Sequence, residues 1–101
     1  MDSQIFSLPS EMSSIQTATI VDTANGEVLF CHDPNYLYAA KISKVGGNVI
    51  FQRFNLPELL KLIPVIKNYF IALFTNSKLY LFDVYFNEEG KIMLRYPFNK
   101  S

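Results

Sequence analysis

The sequence predicts an α/β domain, a five-stranded and mainly antiparallel sheet crossed by one central helix. Three observations lead there. Tyr38, Ile42, Val45 and Val49 recur at spacings of four, three and four, which sets them on one helical face. Asp33 followed by Pro34 fits an N-cap and a first-turn residue ahead of that run. Segments 69–75 and 78–86 are apolar on both faces, as strands are when they lie mid-sheet under two covering layers, and helices are the usual cover.

The elements follow in order. Residues 1–9 read as a flexible tail, and Pro9 suits the start of a short helix over 10–15. Residues 17–22 carry β-branched Thr19, Ile20 and Val21 and read as a strand. Asn25-Gly26 is a turn signal because both residues tolerate positive φ, and 27–31 is the returning strand. The helix then spans 35–53. The same stretch also reads as two strands flanking a Gly46-Gly47-Asn48 turn. Each glycine costs about 1 kcal/mol inside a helix, although small residues let a helix lie close on a sheet.

Residues 59–67 form a strand whose Pro64 is tolerable only at a sheet edge. Next come strand 69–75, a turn at Asn76-Ser77 and strand 78–86. On the last, Leu79 and Leu81 point one way while Tyr80, Phe82 and Val84 point the other. Residues 87–90 turn again, and 91–101 are a short strand or ordered tail.

Composition narrows the function. The 101 residues are half apolar, enough for one domain, residues 1–101, with one modest core. Nine basic and nine acidic residues cancel, and the basic ones are scattered singly, whereas a phosphate-tracking groove clusters them. No nucleic-acid partner is expected. A single cysteine cannot form an internal disulfide, which favours a reducing compartment. The opening residues lack the basic and apolar regions of a signal peptide, and Lys67 and Asn68 interrupt the longest apolar run. The expectation is a cytoplasmic protein without a transmembrane segment.

The only cysteine and the only histidine adjoin, as Cys31 and His32. Neighbours on a strand point to opposite faces, so they cannot meet as nucleophile and base. Glu88 and Glu89 are the only adjacent acids and fall in a turn. Asp83 interrupts an apolar strand, where a carboxylate either serves a function or bonds a neighbouring segment. Residues 44–48 lack the spacing and the Lys-Ser/Thr end of a phosphate loop. No catalytic constellation, metal spacing or cofactor motif is present, so a non-enzyme without a cofactor is expected.

Three stretches together resemble the roadblock family, the small dynein-light-chain and lysosomal-scaffold domains related to longin and profilin folds. LPSEMSSIQTATIVDTANGEVLF is similar to its opening helix end and hairpin. YLYAAKISKVGGNVIFQRFNLPEL is similar to its central helix, and LLKLIPVIKN, YFIALFTNS and KLYLFDVYF to its last three strands. The likeness covers residues 8–86 as a pattern of elements without a diagnostic motif. The first helix is shorter here, Pro64 removes a donor from the third strand, and 91–98 look extended.

The resemblance implies a non-catalytic scaffold or adaptor that homo- or heterodimerises and docks protein partners such as a small GTPase or its regulators. It points to an interface at Tyr38, Ile42, Val45 and Val49 on the helix and at Leu60, Leu62 and Val65 on the strand. Intrachain core is the alternative for each.

Two further likenesses need 36–54 to be strand. GEVLFCHDPNYLYAAKISKV is similar to the first strands of chromo-barrel readers of methylated lysine, with Tyr38 as a cage ring, although the chain has no tryptophan. YFIALFTNSKLYLFDV is similar to two strands of a β-propeller blade, which a chain this short would donate to a partner.

Overall fold

The computed structural model describes Met12, residues 14–42 and residues 49–95. Within them the chain forms eight strands: β1 (Thr17–Thr23), β2 (Gly26–His32), β3 (Tyr36–Lys41), β4 (Gln52–Asn55), β5 (Leu59–Pro64), β6 (Tyr69–Phe74), β7 (Leu79–Phe86) and β8 (Ile92–Arg95). They make two antiparallel four-stranded sheets in simple up-and-down order, β1-β2-β3-β4 and β5-β6-β7-β8.

The predicted α/β sandwich is therefore corrected to an all-β fold. Where the helix was expected over 35–53, the chain forms β3 and β4, with residues 43–48 outside the described set. Residues Leu37, Tyr38, Ala39 and Ala40 are all buried. Both faces of β3 are covered, so its apolar residues run on without alternating, and periodicity cannot tell such a strand from a helix. The local start signal was also degenerate. Asp33 Oδ1 accepts the N–H groups of Asn35 and Tyr36, each at 2.8 Å. An N-cap makes the same kind of bonds, but here they close the tight turn between β2 and β3.

The tail over 1–9 lies outside the described residues, as do Ser10, Glu11 and Ser13 of the short helix expected over 10–15. Of 91–101, Ile92–Arg95 is β8. The first hairpin forms, with Ala24 and Asn25 as its two-residue loop and Thr23 paired with Gly26. Gly26 alone takes the left-handed backbone there, at φ 116°. Pro64 ends β5, an edge strand, where its missing N–H costs no ladder bond.

The sheets stack face to face on one core. Val21, Val28, Phe30, Leu37 and Ala39 from the first meet Leu59, Leu62, Phe70, Ala72, Phe82, Val84 and Ile92 from the second. Phe70 is the keystone, its ring 4.8 Å from Phe30 across the sheets and 5.3 Å from Phe82 within its own.

Polar links fasten the sheets at their margins. Asn68, left-handed at φ 74°, donates its N–H to Asp22 O at 2.8 Å and accepts the Ala24 N–H on Oδ1 at 3.2 Å. Its own carbonyl accepts the Val84 N–H at 2.7 Å. Gln52 of β4 binds Ile92 of β8 twice, donating Nε2 to the carbonyl at 3.0 Å and accepting the N–H on Oε1 at 2.8 Å.

Candidate functional site

Strands β6 and β7 are apolar on both faces, which calls for two covering layers. Sheet β1–β4 supplies one. No described strand lies over the other, and that open face is the candidate site.

Strand register orders the outward residues into rows. Lys61, Leu73 and Leu79 form the first, and Ile63, Ile71 and Leu81 the second. Tyr69, Asp83 and Arg95 form the third, and Tyr85 and Met93 the fourth. None of these residues belongs to either buried cluster. Leu79 is 61% exposed, and the bulge between Leu59 and Lys61 leaves Leu60 49% exposed. Four strands about 4.8 Å apart and about six residues long span roughly 400 Å² in plan. Its first two rows are apolar but for Lys61, with Leu79 exposed and Ile63, Ile71, Leu73 and Leu81 half-buried, and the largest apolar patch on a small domain is often functional.

The third row is where the face turns polar. Arg95 Nε donates to Asp83 Oδ2 at 2.8 Å, and its guanidinium also lies over the Tyr85 ring at 4.5 Å. Asp83 thus bonds a neighbouring strand, the structural one of the two roles open to it.

The opposite outer face, on β1–β4, is different. Met12 packs with Cys31 and Tyr38, flanked by Ile15, Tyr36 and Phe51. Tyr38 O–H donates to Asp33 Oδ2 at 3.0 Å. Burial pushes the Asp33 carboxyl up, but the Asn35 and Tyr36 N–H groups and the Tyr38 hydroxyl outweigh it, leaving the carboxyl below its usual range. Burial, then the bond to Asp33, raises the Tyr38 phenol. The Cys31 thiol is pushed up to about 11 by burial and by the nearby Asp33 charge, so it is a packed and poorly reactive thiol.

His32 points the other way and is fully buried. Its Nδ1 lies 3.1 Å from Asp33 O, while Nε2 has no partner among the described residues. No group of three histidine, cysteine or acidic residues is placed to hold a metal among the described residues.

A groove of about 200 Å³ lies where β1 meets the β5–β6 turn, lined by Ile20, Asp22, Pro64, Val65, Ile66 and Lys67 among others. Ile20, Val65 and Ile66 are exposed there.

The interface residues expected from sequence do not come together. Tyr38 is buried and hydrogen-bonded on the closed face, which also removes it as a ring for a methyl-lysine cage. Ile42 is half-buried just past β3, where its N–H bonds Glu27 O, and Val49 is half-buried before β4. Val45 lies outside the described residues. Leu62 is in the core between the sheets, Val65 lines the groove, and Leu60 borders the open face. The sequence reading missed Ile71, Leu73, Leu81, Tyr85 and Met93. Its signal was in hand, namely strands apolar on both faces.

Comparison with family models, with curated proteins and with solved structures finds no match to this chain. Among the described residues no helix is long and apolar enough to cross a membrane.

Proposed function

We propose that this chain is a non-catalytic docking module, a scaffold-type subunit whose open β5–β8 face is covered by a protein partner. The observation that carries this reading is that, among the described residues, no second layer lies over β6 and β7. Apolar area is worth about 25 cal/mol per Å² when withdrawn from water, so Leu79, Leu81, Ile71 and their neighbours favour a covered state. The packed thiol of Cys31 and the structural roles of Asp33 and Asp83 support a role without chemistry.

A second reading has one observation in its favour. Each sheet is a four-stranded meander, the unit of a propeller blade, and β1 and β5 make the closest approach between the sheets. Two such blades donated to a larger ring would contact neighbours on both outer faces.

A photo-crosslinking residue at position 79 or at position 27, on opposite outer faces of the full chain, tests both readings in living cells. The docking reading expects protein adducts from position 79 and none from position 27. Adducts from both positions favour the ring, and none from position 79 refutes both.

A further inference from the structure

We infer that the occupant of the open face is the same face of a second copy of this chain, the two copies related by a two-fold axis. This rests on the docking reading above and names its partner.

The number of broad open faces favours this occupant. On the β1–β4 side Met12 and Ile15 cover Cys31 and Tyr38, and exposed Ile20 borders the narrow groove beside Val65 and Ile66. A ring or filament of copies needs two different complementary faces, whereas one face that meets itself closes as a symmetric pair. One broad open face among the described residues fits the pair.

Charge points the same way. The third row holds one acid and one base side by side, Asp83 and Arg95, with Lys61 at the far corner on edge strand β5. A partner of strongly acidic or basic character would leave one of the two unmatched. A copy of the same face matches both. Consider a two-fold axis along the strands at β7, which lays β8 of one copy over β6 of the other. With strands about 4.8 Å and packed sheets about 10 Å apart, Arg95 Cα then lies about 11 Å from Asp83 Cα of the second copy. An arginine and an aspartate side chain span that gap, so each Arg95 reaches both carboxylates.

Size is compatible as well. Two faces of roughly 400 Å² in plan, enlarged by side-chain relief, bury on the order of 1,000 Å² together. That is the lower end for a specific interface, the class of reversible association.

The test is sedimentation of the full chain, 11.6 kDa as a monomer, across about 1 to 200 µM. Asp83→Arg places two bases on the third row and Arg95→Asp two acids. Each variant alone is expected to associate at least tenfold more weakly, and a one-to-one mixture to recover the dimer. The exchanged charges attract only across the interface, so a purely intrachain effect cannot give that recovery. Circular dichroism melts check that both variants fold, a control that matters most for Asp83→Arg, because Arg95 is 61% exposed and Asp83 only 13%.

A wild type that stays monomeric throughout overturns the inference, as does a dimer unaffected by either variant. Adducts from position 79 with a different protein would then leave the docking reading standing, and an absence of any adduct would remove it too.

Discussion

Replacing Gln52 by alanine removes both hydrogen bonds that tie β4 to β8, the donor to Ile92 O at 3.0 Å and the acceptor for Ile92 N–H at 2.8 Å. Each is worth about 0.5–1.5 kcal/mol net. Ile92 is 3% exposed, so its two backbone groups lose their partners where water enters poorly. The expected loss is about 1–3 kcal/mol. With a urea slope of about 1–1.5 kcal/mol per molar for a domain of this size, the unfolding midpoint falls by about 0.7–3 M at pH 7.

Gln52→Glu sharpens the test. A carboxylate still accepts from Ile92 N–H but cannot donate to Ile92 O, whereas a protonated carboxyl does both. Protonation is thus favoured in the folded state, and the folded pKa of the new glutamic acid lies above its unfolded value of about 4.3. The regained stability is fully present below that value and is lost as pH rises through the folded pKa. Measured against wild type at each pH, the deficit should shrink from pH 7 to pH 4. A midpoint for Gln52→Ala within about 0.3 M of wild type would refute the reasoning.

Two further outcomes follow from the same contacts. Phe70→Ala empties the fully buried centre of the core and removes its contacts with Phe30 and Phe82, at a cost of about 3–5 kcal/mol. At about 4 °C or more per kcal/mol the melting temperature should drop by at least about 12 °C, and a drop under about 5 °C would count against Phe70 as keystone. Asp33→Asn weakens three bonds accepted by a carboxylate whose folded pKa is depressed. That carboxylate stabilises the fold above its unfolded pKa of about 3.9, and the contribution fades as pH falls through the folded value. Urea unfolding should show the variant weaker at pH 7 and closer to wild type near pH 3, and an equal gap at both would disprove the assignment.

Most of the strand order was legible, and the reasons are local. The hairpin around Asn25-Gly26, the turn at Asn76-Ser77 and the edge position of Pro64 each follow from backbone chemistry that tertiary context does not alter. Segment 35–53 was misread because each of its signals has two meanings. Asp33 closes a turn with the bonds a helix cap makes, and Tyr38, in a strand buried on both faces, and Ile42, just past its end, match a helical spacing by coincidence. The Gly46-Gly47 pair was the better guide, since both glycines weigh against a helix.

The candidate face was half legible. Strand 78–86 announced two apolar sides, but the residues singled out for an interface came from an assumed helix and from β5. Leu62 and Tyr38 therefore proved to be interior, and Leu79 and Leu81 were passed over. Only the stacking of the sheets reveals which apolar side is already covered, and that is a long-range property.

Because every strand pairs only with its neighbours in the chain, residues 17–55 contain all the ladder partners of the first sheet. That sheet can complete its hydrogen bonds without a single residue of β5. Its inner side chains, Val28, Phe30 and Leu37 among them, have no such independence, since their cover comes from β5 to β8. A chain whose first sheet has formed ahead of its second carries a finished ladder above a bare apolar floor, the state in which a holding chaperone has the most to bind.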